Sequence, residues 1–475
     1  MWLICLIEAR RLKSIAQQTI GTLVRIVLAM LFCLGCDNSS NPVGPKPRGP
    51  HAITIKYDGT GDFPTIQAGI NSTIDGDTVV LENGRFKGAG NRDLDLHSRK
   101  IILRSAKNDP VHCVIDCEGD IVEPHRGFVF QSGETQASVV EGVGIESGYG
   151  LDGGGAILCE NQSSPLLRNV IIRASVNRAL VCHASSPTFE SCTFFGNFDG
   201  AAYVSGSSVV TFRQCQFRSN VSDDAGGGIA VISSTVDLVD CVFDLNTSFS
   251  SGGGIECTSI SDVGRSRLTA LRCTFISNSA NPYGGGINVR DSEFDIDACA
   301  FVRNSAPTGA GISSVGKANG TLRGTTFYGN ASGEGAAFFC GSCDVDLRES
   351  ILAFNSLGAS VACDTLFGPV TLAVECSDIF GNDGGDWVTC VAAWADSGGN
   401  ISSDPLFCSA QDGVLSLNDQ SPCAPANSAC GLMGAFLVGC PTTQLDALAH
   451  KKRSPPITRP LSTATNAIFG LRLTN

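Results

Sequence analysis

The sequence predicts an all-β chain: a parallel β-helix solenoid carrying a short N-terminal helical cap. Three observations predict it. A six-residue motif, CxFxxN, recurs through the middle of the chain, a glycine triplet followed by isoleucine alternates with it, and nothing between the two has helical periodicity. Self-similarity at a short fixed period marks stacked units, each burying its apolar side against the next. A length of 475 residues exceeds what one compact core serves, so the chain is several domains or one long array.

The motif runs Cys192-Thr-Phe194-Phe-Gly-Asn197 and returns at Cys215 to Asn220, Cys241 to Asn246, Cys273 to Asn278 and Cys299 to Asn304. Looser copies follow at Thr325 to Asn330 and Ser350 to Asn355, and a copy one residue longer runs from Cys376 to Asn382. First residues are spaced 23, 26, 32, 26, 26, 25 and 26 apart. Cys and Phe stand two apart, so both face one side of a strand. Stacking coils ~4.8 Å apart sets Phe194, Phe217, Phe243, Phe275 and Phe301 in one column and Asn197, Asn220, Asn246, Asn278 and Asn304 in another. Asparagine tolerates the left-handed conformation at a bend, and its amide can bond to coils on either side.

The second motif is Gly226-Gly-Gly-Ile229, Gly252-Gly-Gly-Ile255 and Gly284-Gly-Gly-Ile287, with looser copies at Gly153 to Ile157 and Gly309 to Ile312. Glycines permit a tight corner and leave nothing to obstruct the stack. From Ile to the next Cys is 12 residues in two close copies and 18 in the one beginning at Ile255, so an insertion loops out before Cys273 and carries Arg265 and Arg267. These motif residues are read as scaffold, not chemistry. Alternating GGxI and FxxN motifs resemble the repeats of polymorphic outer membrane proteins, and more widely the right-handed β-helix, or pectin-lyase-like, superfamily. The resemblance covers roughly residues 153–382. It implies a right-handed coil and leaves function open, because that fold carries lyases, hydrolases, esterases and adhesins.

The ends read differently. Arg10, Arg11, Lys13 and Arg25 precede a short apolar run, Ile26 to Leu34. That is a secretory signal pattern, too short for a stable span. Its end, Cys33-Leu-Gly-Cys36, resembles the lipobox of bacterial lipoproteins, which implies lipidation of Cys36 and a membrane tether. Cleavage without lipid is the alternative. Residues 1–36 are thus a signal peptide and 37–51 a flexible linker. Residues 52–440 are the β-helix: an opening cap over 53–92, coils over about 93–395, and a closing cap over 400–440. The string Asp58-Gly-Thr-Gly-Asp62-Phe-Pro64-Thr65 leads into a helix that Asp62 is placed to cap, and it resembles the N-terminal cap of pectinesterases. Residues 441–475 read as a disordered tail.

Glycine numbers 55, charged residues make up only 17%, and the net charge is −13. That balance suits stacked short strands and excludes a nucleic-acid partner, which needs a basic stripe. The 22 cysteines indicate an oxidising compartment. Cys192, Cys215, Cys241, Cys273 and Cys299 share one inward position with parallel Cβ vectors, which favours a buried thiol ladder over vertical disulfides. Cys408, Cys423, Cys430 and Cys440 crowd the closing cap and allow three pairings. Cys340-Gly-Ser-Cys343 lacks the further ligands zinc needs, so no metal is assigned.

Lyases of this superfamily hold Ca²⁺ on carboxylates beside an Arg or Lys base, and its hydrolases pair aspartates with a GHG histidine. Neither set is complete here, and of six histidines only His183 falls within the repeat coils. Asp223-Asp224, before a glycine corner, is the candidate catalytic pair and the one candidate Ca²⁺ site; no other cofactor is expected. Candidate binding residues are Tyr149, Asp152, Arg265, Arg267 and Tyr283. The reading is an exported cell-envelope protein, outer-membrane-anchored or secreted, that binds a polysaccharide or cell surface in the manner of an adhesin. A polysaccharide-degrading lyase or hydrolase is the first alternative and a purely structural stalk the second.

Overall fold

A computed structural model describes residues 49–260, 264–366 and 368–440. The signal segment with Cys36, nearly all of the linker, the centre of the inserted loop and the tail 441–475 lie outside the described residues. What is described is a right-handed parallel β-helix of three long sheets. The first has 13 strands, from Ala52–Ile55 to Thr371–Glu375; the second has 12, from Gly84–Phe86 to Asp378–Phe380; the third has 10, from Phe128–Phe130 to Val361–Asp364. From Ile102 to Asp364 each turn adds one strand to every sheet in unshifted register, as Val210↔Val236, Phe217↔Phe243 and Ile229↔Ile255 illustrate.

The CxFxxN motif makes the second sheet. Phe194, Phe217, Phe243, Phe275, Phe301 and Phe327 are fully buried, with successive ring centroids 4.6–4.9 Å apart and near-parallel planes. The asparagine amides form a second column. The Nδ2 of Asn197, Asn220, Asn246, Asn278, Asn304, Asn330 and Asn355 donates to the Oδ1 of the next, at 2.9–3.0 Å. The left-handed residue at this bend is not the asparagine but the one before it: Leu245 has φ 59°, Ser277 52° and Arg303 54°. That frees the asparagine for extended backbone and points its amide inward. Cys192, Cys215, Cys241, Cys273 and Cys299 are buried and unbonded. Burial pushes the Cys215 and Cys273 thiols well up. The column continues in hydroxyls, with Thr325 Oγ1 and Ser350 Oγ 2.8 Å apart and Ser350 N donating to Ser377 Oγ.

That last bond corrects the reading frame of the final copy. Ser377, not Cys376, is its first residue, so the copy has ordinary length; Cys376 takes the outward corner and bonds to Cys430. In the glycine corners the leading residue is left-handed, as at Gly226 with φ 74°. The other two are crowded: a Cβ on Gly228 would sit 2.5 Å from Gly254 O and 2.9 Å from the Phe243 ring. At the remaining corner a serine column runs unannounced by any motif, Ser185 N to Ser208 Oγ, Ser208 N to Ser234 Oγ and Ser234 N to Ser266 Oγ, at 3.0–3.2 Å.

At the N-terminal end, helix α1 (Ile66–Ser72) buries Ile66 and Ile70 against the first coil, which blocks edge-to-edge pairing. Its cap is Thr65, whose hydroxyl accepts from Ala68 N, whereas Asp62 accepts from Thr54 N at 2.7 Å and fastens the preceding turn. Closure at the other end falls to a 3₁₀ segment, Thr389–Trp394, which buries Val391 and is tied by Cys363–Cys390. Of residues 400–440 only the first sit on that end, where Ile401 bridges Asp378 and Asn400 Oδ1 accepts from Ser377 N; the rest do not. They fold back along the outside of the second sheet, where Leu415, Ala435 and Phe436 pack with Ala300, Val302 and Tyr328, and Leu417, Cys423 and Met433 with Ile351 and Ala353. Disulfides Cys376–Cys430 and Cys408–Cys440 hold this strap, and Cys423 stays a buried free thiol. Pairing is therefore not confined to the four C-terminal cysteines. Cys340 and Cys343 bond to each other.

Candidate binding flank

Between the asparagine of each coil and its glycine corner, the chain makes a short turn between the second and third sheets. The residue after the asparagine position points outward. In four successive coils it is Tyr149, Val176, Phe198 and Val221, linked by Tyr149↔Val176 and Phe198↔Val221 bridges and by the Phe198 N bond to Ser175 O. Val176 and Phe198 are each 46% exposed, so this apolar column faces solvent. Beyond Val221 the column changes character and continues as Thr247, Ser279 and Ser305.

Charges border the apolar part. Arg178 sits in the degenerate corner Asn177-Arg-Ala-Leu180; its guanidinium pairs with Asp199 at 3.4 Å and Asp224 at 3.0 Å and lies 4.2 Å over the Tyr203 ring. Arg126 donates to Gly153 O and Gly154 O, both at 3.1 Å, and pairs with Asp152. Asp93 accepts from Arg126 N and binds His125 Nδ1 at 2.6 Å, so His125, placed outside the repeat by motif, belongs to the flank. Each arginine is held by several acceptors at once, which gives a fixed array of donors and carboxylates.

Of the sequence candidates, Tyr149, Asp152, Asp223, Asp224 and Tyr283 all lie on these turns. Asp224 is paired to Arg178, not to Asp223, and Asp223 is exposed with no ion pair among the described residues. Two carboxylates do converge, Asp199 and Asp224, but on the guanidinium between them. Tyr283 is half-buried three coils beyond Phe198 and lends its carbonyl to Gly252 N. Arg265 and Arg267 lie elsewhere, at the corner between the third and first sheets. Arg267 already begins a first-sheet strand opposite Glu293. Arg265, past the loop, which closes at the Ile260–Gly264 bridge, donates to Lys317 O and Asn319 Oδ1 at 2.7 and 3.0 Å. A separate depression of about 350 Å³ at the corner of the first and second sheets is lined by Arg168, Glu190, Arg213 and Asp240 among others. Among the described residues no group of three or more His, Cys, Asp or Glu is placed to hold a metal ion.

Sequence reading missed Phe198, Arg126 and Arg178. The signal was present for one of them: Asn177-Arg-Ala-Leu180 occupies the glycine-corner register without its glycines, and Arg178 stands within it. Chemically, the flank offers apolar faces beside fixed hydrogen-bonding groups, which suits contact with the C–H faces and hydroxyls of sugars.

A family model for a right handed beta helix region matches residues 155–327. No curated protein matches the sequence. Among solved structures, pectate lyase Pel9A aligns at 11% identity and TM-score 0.39, over 82% of this chain and 97% of that one. The Azotobacter vinelandii mannuronan C-5 epimerase AlgE6 A-module aligns at 14% and 0.36, over 72% and 94%. A rhamnogalacturonan lyase aligns at 8% and 0.38, over 69% and 87%. The likeness is one of fold.

Proposed function

We propose that the chain is an exported cell-envelope protein, tethered through lipid on Cys36, that binds a polysaccharide along the flank of Tyr149, Val176, Phe198 and Val221 without cleaving it. The observation that carries this is the exposed apolar column beside guanidinium-fixed carboxylates. The coil spacing of ~4.8 Å repeats these contacts at a distance close to one sugar unit, so a polymer could lie along the column. Binding is favoured over hydrolysis because Asp199 and Asp224 are both committed to Arg178, which leaves neither poised as a free acid or base.

The test is calorimetric titration of the full chain with acidic and neutral polysaccharides, with product formation followed in parallel. Saturable binding without turnover, lost in Phe198→Ser and Tyr203→Ser, is expected. Turnover that vanishes in Asp224→Asn would replace this reading with the enzyme. Absence of both binding and turnover would leave a structural stalk. Labelling with a radioactive fatty acid, lost in Cys36→Ser, checks the tether.

A further inference from the structure

The last outward position of the first sheet runs along the corner where that sheet meets the second. In unbroken register it reads Glu141, Arg168, Glu190 and Arg213, then Val239 and Leu271. Charge alternates from coil to coil and then stops. Arg168 serves both its neighbours, Glu190 at 3.0 Å and Glu141 at 3.9 Å. Arg213 thus follows a carboxylate already taken and precedes a valine. Its guanidinium makes no ion pair and no hydrogen bond among the described residues. Beside it, Gln214 Oε1 accepts from Ser191 Oγ at 3.5 Å, which leaves the Gln214 amide N–H groups unused among the same residues. Asp240 is held by Arg272 through two bonds, of 2.8 and 3.0 Å. The depression of about 350 Å³ opens at this point, with Arg213, Gln214, Ser191, Glu190, Val239 and Asp240 in its wall.

We propose that this depression binds a small hydroxycarboxylate of single negative charge, its carboxylate on the Arg213 guanidinium and the Gln214 amide. The ligand's carboxylate takes the rung that Val239 leaves empty in the charge ladder. A guanidinium presents a planar fork of donors that matches a carboxylate with two parallel bonds. The half-buried Val239 side chain is an apolar wall for the ligand's carbon chain, and the Ser191 hydroxyl and Glu190 carboxylate meet its hydroxyls. The volume falls in the range small ligands occupy, ~300–1,000 Å³. Two carboxylates line the depression, and each has its own guanidinium, Arg168 for Glu190 and Arg272 for Asp240. Their closeness admits one further negative charge and opposes a second, which favours a carboxylate over a phosphate dianion. The site stands at the corner of the first and second sheets, away from the turns between the second and third, and does not depend on the polysaccharide reading.

The full chain is titrated with sodium D-gluconate at low ionic strength, and binding is read by saturation-transfer NMR on the ligand. Sorbitol, which keeps the hydroxyls and lacks the carboxylate, sodium acetate, which keeps the carboxylate alone, and sodium phosphate are the comparisons. Saturable gluconate binding is expected, with acetate and phosphate weaker and no saturable signal from sorbitol. Arg213→Gln alters an exposed side chain, so the fold should persist while gluconate affinity falls at least about tenfold. Glu190→Gln removes a repelling charge and should tighten binding. Phe198→Ser should leave it unchanged, so that failure here and failure of the flank are read separately. Gluconate binding no better than that of sorbitol overturns the proposal, as does affinity unchanged in Arg213→Gln. Acetate bound as tightly as gluconate would show a bare anion site, and phosphate bound more tightly would show a site for higher charge; either result overturns it too.

Discussion

Asn246→Ala tests whether the amide column holds the coils together. Asn246 is fully buried in mid-ladder. Its Nδ2 donates to Phe217 O and Asn278 Oδ1, both at 2.9 Å, and its Oδ1 accepts from Asn220 N at 3.2 Å and Asn220 Nδ2 at 2.9 Å. Alanine removes all four bonds. Asn220 Nδ2 keeps Phe194 O, and Asn278 Oδ1 keeps Asn246 N, so those losses are partial. Asn220 N–H is left buried without this acceptor, which costs about 1–3 kcal/mol, and the other three bonds are worth roughly 0.5–1 kcal/mol each. The sum is about 2.5–6 kcal/mol. The exposed Gln136, whose side chain bonds only to Ser164 O and Thr188 Oγ1 among the described residues, is the control, and Gln136→Ala should cost no more than about 0.5 kcal/mol. Guanidinium unfolding followed by far-ultraviolet circular dichroism gives the two midpoints. A midpoint for Asn246→Ala no lower than that for Gln136→Ala would refute the ladder as a source of stability and leave the phenylalanine column to carry it.

Three further outcomes are expected. Gly228→Ala drives a methyl into Gly254 O and the Phe243 ring and should prevent stable folding, whereas Gly196→Ala meets nothing within 4 Å and should cost only the ~1–2 kcal/mol of a left-handed residue, as thermal melts will show. Burial pushes the Asp378 carboxyl, beside Cys423 Sγ and Ser403 N, up to about 7; the folded state therefore holds the proton more tightly, so this group's contribution is complete below about pH 4 and is lost as pH rises through 7. Asp378→Asn should flatten that pH dependence of the melting temperature, and an unchanged slope would refute it. Replacing both Cys376 and Cys430 by serine should loosen the strap and raise dye binding to the apolar outer face at Val302, Tyr328 and Ile351, with the β signal retained; unchanged dye binding would mean that packing alone holds the strap.

The solenoid was legible wherever side chains repeat. Phe and Asn at fixed spacing gave the second sheet directly, because a stacked column demands the same residue in each coil. Earlier coils were invisible to that reading. Val143-x-Ile145 and Val170-x-Ile172 fill the same inward positions, but aliphatics pack without a shared signature. The serine column hid because paired serines look like any turn. The frame slip at Cys376 has the same origin: a cysteine one residue early was taken for the ladder. The strap could not be read at all, since nothing in residues 400–440 says which surface they cover. For the flank, the sequence pointed to Tyr149, Asp152, Asp223 and Asp224 separately, and the coil sets all four on the turns before its corners. The sequence did not yield Arg126 or Arg178, whose roles come from acceptors in neighbouring coils.

The cysteines sort by how the chain is held where they stand. Within the repeat, each coil is fixed by two neighbours through sheet bonds, ring stacking and amide bonds, so a cross-link adds little and the inward thiols serve as small apolar residues. They also cannot pair easily, because stacked Cβ atoms point the same way. From Cys340 onward the pattern weakens: the ladder phenylalanine gives way to Leu352 and then Ile379, the corner glycines to Ala359, and the array ends. A terminal coil has one neighbour, and a strap of some forty residues buries too little to order itself. All four disulfides among the described residues fall there, with Cys363–Cys390 closing the end and Cys376–Cys430 and Cys408–Cys440 fixing the strap across separations of 27, 54 and 32 residues. Cross-links that remove chain entropy are most useful where packing is thinnest. The division between sealed thiols and bonded pairs therefore follows the strength of the repeat and needs no redox function to explain it.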